Sequence, residues 1–182
     1  MIMSGGLYYF ACAREEGIMY PADKEISGYV EKKKHGDTLM PFVIYGTMMP
    51  TLFSSFPLHC HEEIEMVLCD CGRCRYTVSG ENVDLEFGDI LVMMPWVLHS
   101  FRLAGKDDYF LAATYLISLD MINNRAVDIC SSQYYLPLLA RKCNDYCVIR
   151  YNSEHYEEFR NIAIPLFDTY YAHERFFEIK LK

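Results

Sequence analysis

No stretch of this chain approaches the ~18 consecutive apolar residues of a membrane helix, so no segment reads as a membrane span. A secretory leader is poorly supported as well. Ala11-Cys12-Ala13 resembles a cleavage site, but no basic region precedes it and Ser4-Gly5-Gly6 interrupts the apolar run. The expected location is therefore cytoplasmic. Positive charge is scarce: 17 Lys and Arg stand against 25 Asp and Glu, a net charge of -8, which is a poor basis for gripping a phosphate backbone. The longest basic run, Lys32-Lys33-Lys34, follows Glu31 and reads as a solvated turn. There is no internal repeat, Gly-rich phosphate loop, G-x-S-x-G elbow or H-E-x-x-H helix, which removes the common nucleotide, serine-hydrolase and zinc-protease signatures. Tryptophan occurs once, at position 96.

Apolar residues are plentiful. They make up 52 % of 182 residues against 23 % charged, enough for one core-forming domain with a modest appendage. Cysteine is also abundant, at eight. Cys71-x-x-Cys74 has half the spacing of a zinc site, which Cys143 and Cys147 would complete; the plainer reading is reduced thiols around a hairpin turn.

Residues 1–37 show no sustained period and read as an arm. From Thr38 to about Leu119, short apolar stretches are punctuated by Gly, Pro, Asn or Asp at strand-length intervals, the rhythm of an antiparallel sandwich or barrel. Val83–Phe87 alternates strictly and predicts a strand with one wet face, entered through a turn at Ser79–Asn82. Ile90–Met94 is continuously apolar, as a strand covered on both faces would be, and Tyr109–Ile117 is a third strand candidate. Beyond Leu119 the pattern turns helical. Asp120 is placed to cap a helix over Met121–Asp128, and Tyr134–Lys142 reads as another. Ser153 is a candidate N-cap for a longer helix with Glu154, Glu157 and Glu158 near its positive end, and Pro165 predicts a kink or break. Tyr156, Phe159, Ala163, Leu166 and Tyr170 share one stripe, continued by Phe177. That stripe serves either a dimer seam or the domain's own barrel.

Chemistry concentrates in His59-Cys60-His61-Glu62-Glu63-Ile64-Glu65. On one extended strand, His59, His61, Glu63 and Glu65 would point to the same side. Imidazole nitrogens and a carboxylate oxygen suit a first-row divalent cation, with His99 as the fourth donor from beyond Pro95. The competing readings are pocket-lining histidines or a solvated strand face.

The spacing His59-x-His61-x3-Glu65-x6-Gly72 matches the first cupin motif, and Gly88-x6-Pro95-x3-His99 resembles the second. The second departs from the enzyme pattern: both gaps differ by one residue, Val97 stands where a glycine is expected and Leu103 where an asparagine is. With His35-Gly36, Pro41-Phe42 and Tyr45 upstream, and Gly88-Asp89-Ile90-Leu91 followed by His99-Ser100 downstream, the chain resembles the N-terminal sensor domain of AraC/XylS-type transcription regulators.

That resemblance implies a mainly β fold with C-terminal helices. A cupin-like double-stranded β-helix (jelly-roll) barrel would occupy residues 38–119, after an arm at 1–37. A helical dimerisation segment would follow at 120–182, with Tyr156, Phe159, Ala163, Leu166 and Tyr170 as the seam. It implies a non-enzymatic sensor of a small effector, of the sugar or small organic acid class, acting as a homodimer. DNA would be read through a helix-turn-helix module not present in this chain. The implied metal site is His59, His61, Glu65 and His99, for zinc, nickel, iron or manganese; Tyr45, Glu63, Met94 and Trp96 would line the ligand pocket, with the arm as a lid. The alternatives are a metal-dependent cupin enzyme using the same four residues, and a sensor whose signal is the metal itself.

Overall fold

The computed structural model describes residues 26–122, 129, 132–133 and 144–181. Nine strands build two sheets. They are β1 (Phe42–Met49), β2 (Ser55–His59), β3 (Ile64–Gly72), β4 (Cys74–Val78), β5 (Glu81–Leu85), β6 (Ile90–Met93), β7 (His99–Leu103), β8 (Phe110–Ile117) and β9 (Tyr146–Ile149). The larger sheet has the order β1-β8-β3-β6-β9 and the smaller β2-β7-β4-β5. Leaving aside β9, successive strands alternate between sheets except at the β4–β5 hairpin, which is the order of a jelly roll. All strand pairs are antiparallel.

The period of two in the strands sorts side chains between two cores. Along β3, Val67 and Cys69 enter the interior between the sheets, while Met66 and Leu68 face outward. β6 divides in the same way, with Leu91 and Met93 inside and Ile90 and Val92 outside, so its unbroken apolar run is explained by cover on both faces. The outer cover is helical. Helix α1 (Leu119–Ile122) is short; α2 (Tyr156–Ala172) and α3 (Phe177–Leu181) follow β9. Tyr156, Phe159, Ala163, Leu166, Tyr170 and Phe177 pack with Phe42, Ile44, Met66, Leu68 and Tyr115 in the outer core. Tyr115 donates a 2.9 Å hydrogen bond to the Ala163 carbonyl, and Tyr171 a 3.1 Å bond to that of Ile44. No helix among the described residues is long and apolar enough to cross a membrane.

Several expectations are corrected by these contacts. Of the two uses expected for the helical stripe, its contacts fit the domain's own sheet, where Tyr156 and Ala163 are buried and Phe159, Leu166 and Tyr170 partly so. Helix α2 starts after His155 rather than at Ser153, because buried Tyr156 fixes its first turn against the sheet and Tyr151. It runs unbroken through Pro165. Ser118, not Asp120, caps α1, its hydroxyl accepting the Asp120 N–H at 3.2 Å. Residues 123–128 and 134–142, where two helices were expected to extend, lie outside the described residues. The β4–β5 turn is only Ser79-Gly80, with φ of 49° and 84°, the two-residue geometry whose twist matches a hairpin. The strand therefore begins at Glu81, and Phe87 falls beyond it, 58 % exposed, against Tyr151.

Gly72 and Gly80 make a controlled comparison. Both have φ near 80°, but a Cβ on Gly72 would collide with the Tyr109 carbonyl, whereas one on Gly80 meets nothing. Gly80→Ala should cost about 1 kcal/mol, the left-handed penalty alone. Gly72→Ala should cost about 3 kcal/mol or more in urea unfolding, since backbone must also move. Equal losses would contradict the close approach.

Candidate metal centre and ligand site

The four expected ligands converge, but not along one strand. His59 ends β2 in the smaller sheet and Glu65 lies on β3 in the larger. His61 and Glu63 occupy the corner between them, so convergence comes from the chain crossing between sheets, not from alternation along one extended segment. His99 opens β7 and pairs directly with His59, placing their ring centroids 4.0 Å apart. One donor atom from each of His59, His61, Glu65 and His99 lies within 4.8 Å of every other, and all four residues are buried.

Two of the imidazoles are held from behind by backbone carbonyls, and the third faces a carboxylate without hydrogen-bond geometry. His59 Nδ1 is 2.9 Å from the Pro57 carbonyl and His99 Nδ1 is 2.8 Å from that of Val97. His61 Nδ1 faces Glu63 Oε2 at 3.2 Å. An N–H donor at Nδ1 leaves Nε2 as the lone-pair atom, and such outer partners fix the tautomer and aim of a metal-bound histidine. His61 Nε2 and His99 Nε2 reach the same carboxylate oxygen, Glu65 Oε2, at 2.9 and 3.1 Å. The His99 contact lacks hydrogen-bond geometry, which leaves His99 Nε2 a buried polar atom without a good partner. Three aimed nitrogens, one carboxylate and an unsatisfied inward atom fit a first-row divalent ion.

The β6–β7 loop is tied to the same corner. The Trp96 N–H donates to the His61 carbonyl at 2.7 Å, and Trp96 takes φ of 66°, a left-handed conformation uncommon outside glycine. Its indole is half-buried and joins neither core. Trp96 thus acts here through its backbone, a role invisible to side-chain reasoning. Met94 packs on the inner core, and Glu63 is buried at the corner.

Two residues at the site went unassigned in the sequence reading. The Tyr29 carbonyl and the Glu31 N–H bond Cys60 on either side of a parallel bridge at Val30, laying this segment along the corner. Glu31 Oε2 then lies 3.3 Å from His35 Nε2 and 3.9 Å from His59 Nε2. His35 is buried, 3.3 Å from the Tyr45 hydroxyl and edge-on to His61 at 5.5 Å. Glu31 was hidden by the adjoining lysines, and His35 entered only through the family pattern.

Among the described residues, the cysteines form no second centre. The Cys71 thiol contacts the Tyr109 hydroxyl at 3.3 Å, while Cys74 donates to the Arg102 carbonyl at 3.2 Å on the buried side. The extra residue of a bulge between Cys69 and Cys71 helps set them apart. Burial pushes the Cys69 and Cys74 thiols up to about 12, so both stay protonated and inert. Among the described residues, the only group with metal-site spacing is the His/Glu set; Cys143 lies outside them.

Residues 53–120 match the family model described as AraC-like ligand binding domain. This stretch is similar to AraC-like ligand-binding domains. It contains all four converging residues and Trp96, while Glu31, His35 and Tyr45 precede it. No curated protein matches the chain. Solved structures with partial likeness are cupin-like. The bacterial pirin YhhW from Escherichia coli, in complex with nickel(II), is 18 % identical with a TM-score of 0.37, over 41 % of this chain and 34 % of the pirin. A Cupin 2 conserved barrel domain protein from Salinispora arenicola is 20 % identical with a TM-score of 0.39, over 45 % of this chain and 67 % of that one. A predicted oxalate decarboxylase from Thermotoga maritima is 23 % identical with a TM-score of 0.36, over 41 % and 65 %. The alignment thus spans only about a third of the pirin.

Protonation of the metal-free cluster follows from its geometry. Burial lowers the His61 pKa, but Glu63 and Glu65 outweigh it and carry it to about 9. Burial and His99 take His59 down to about 4. Burial would raise both glutamates, yet His61 holds Glu63 below its usual range, and His99 with His61 does the same for Glu65. The raised His61 contributes stability that is complete below pH 6.5 and lost as pH rises through about 9. The lowered His59 contributes stability present above pH 6.5 and lost as pH falls through about 4, with the glutamates adding to the acid loss from below 4.5. Urea midpoints of chelator-treated protein should therefore peak near neutrality and fall on both sides. A flat alkaline limb would contradict the His61 assignment. Metal affinity should rise along that limb, since His61 must lose a proton to coordinate.

Proposed function

We propose that this chain is the effector-sensing part of an AraC-type transcription regulator, and that His59, His61, Glu65 and His99 hold a divalent first-row metal within the sensing site. The carrying observation is the convergence of the three imidazoles on Glu65, with Nδ1 of His59 and of His99 held from behind by backbone carbonyls. A pocket that merely lined itself with histidines would have no need of that shared aim. When bound, such an ion supplies a Lewis-acid centre for an oxygen-bearing ligand. The chain's own residues orient the four donors, exclude water through burial, and tie the site to the Tyr29–His35 segment through Glu31.

Sensing would then be a population shift. An effector favouring one arrangement of the 26–37 segment against the barrel stabilises that arrangement by its differential affinity and no more. The readout would pass to a helix-turn-helix module outside this chain, acting on DNA as a homodimer in the cytoplasm. Since the Tyr156 stripe is committed to its own sheet, dimerisation would use another face.

The enzyme reading rests on the same four donors. What supports the regulator is the AraC-like match and the second-motif departures at Val97 and Leu103. Two measurements test this. Purified protein should bind about one equivalent of zinc, nickel or cobalt per chain, and Glu65→Gln should weaken that roughly a hundredfold or more while the circular dichroism stays native. Undiminished binding by E65Q would remove the metal site. The coding sequence past codon 182 should continue into two helix-turn-helix patterns with a basic balance; metal-dependent turnover of a small organic acid by this chain would instead favour the enzyme.

A further inference from the structure

Tyr76 lies at the middle of β4 and is 0 % exposed, yet its hydroxyl has no hydrogen-bond partner among the described residues. A buried phenolic O–H ordinarily has one, so its lack calls for a reason. The inward positions of β4 are Cys74, Tyr76 and Val78; Val78 pairs with His99 and Tyr76 with Phe101. Tyr76 is thus one inward step from the residue opposite His99. Its ring stacks on Phe101 at 4.9 Å and meets Phe110 edge-on at 6.4 Å, which aims it into the interior between the sheets. Burial, then the negative charge of Glu65 and the Cys74 and Cys69 thiols, push its pKa well above the ordinary range, so the hydroxyl is a neutral donor at any physiological pH.

We propose that Tyr76 is a ligand-positioning residue, its hydroxyl donating a hydrogen bond to a small carboxylate seated inside the barrel beside His59, His61, Glu65 and His99. This rests on the metal-site reading above and narrows its effector class from sugar or acid to acid. A divalent ion on the four donors would offer a Lewis-acid face to a carboxylate oxygen. The surrounding inner wall is apolar, with Val67, Met93, Phe101 and Phe110, and the buried Thr47 and Thr114 hydroxyls already face each other at 3.3 Å. A sugar would bury many hydroxyls against few partners, whereas a carboxylate needs the ion and one donor.

The test uses cobalt(II)-loaded protein, with acetate as the probe and Tyr76→Phe as the variant. Metal content is measured first, then acetate is titrated while the visible cobalt bands are followed, and the metal-free proteins are unfolded thermally. The expected result is equal cobalt binding, an acetate-dependent band shift in the wild type, and acetate affinity about tenfold or more weaker in Y76F. Metal-free Y76F should unfold no earlier than the wild type, because the oxygen it removes makes no bond in the protein. Equal acetate affinity, or no band shift in the wild type, overturns the inference while leaving the metal site standing. Early unfolding of metal-free Y76F also overturns it, by revealing a structural partner such as a buried water. Failure of the wild type to take up cobalt sinks the metal-site reading itself, and the inference with it.

Discussion

Glu65 is a carboxylate held 4 % exposed between two β-sheets, and burying that charge is the demand the surrounding structure meets. An ionised carboxylate in such a place costs several kcal/mol unless cationic or hydrogen-bonding groups meet it. Two imidazoles reach its Oε2 directly, and a third is brought alongside by the pairing of His59 with His99. These rings are in turn held by groups whose only apparent task is to hold them: the Pro57 and Val97 carbonyls and the Glu63 carboxylate. The left-handed Trp96 belongs to the same arrangement, because its N–H anchors the β6–β7 loop to the corner that carries His61. The His61 proton meets Glu65 in the metal-free protein, and a divalent ion would take its place.

Precise placement of four side chains requires rigid support, and the larger sheet supplies it by being packed on both faces. Its inner residues join the core between the sheets, while its outer residues bind α2 and α3. The helices therefore stabilise the strand that presents Glu65, although they stand on the other side of the sheet. The Tyr29–His35 segment approaches the cluster from outside the two sheets through one bridge and a few polar contacts. Few buried apolar contacts and exposed backbone bonds are the physical marks of a segment that can respond to what the site contains.

Much of this was legible from periodicity. The double cover of β6 was written in its unbroken apolar run, and the spacing of His59, His61, Glu65 and His99 named the residues that meet. How they meet was not legible. Alternation along one strand grouped His59, His61 and Glu65 together with Glu63, and did so for the wrong reason, since the corner at 60–63 is set by which sheet each flanking strand joins, a long-range choice. The same limit applies to Ser153 and Asp120, where tertiary packing of Tyr156 and the Ser118 hydroxyl outranked local capping preference. It applies most strongly to Glu31 and to the Trp96 backbone, because neither a carboxylate beside three lysines nor a main-chain N–H carries a pattern. The stripe of α2 was read correctly as apolar, but apolarity alone does not say which surface it covers.

X-ray absorption on the zinc-loaded protein tests the central claim most directly. Convergence of His59, His61, Glu65 and His99 predicts a first shell of nitrogen and oxygen at about 2.0–2.1 Å, with outer scattering from three imidazoles and no sulfur. A sulfur shell at about 2.3 Å, or a shell without imidazole scattering, would place the metal elsewhere and contradict the account.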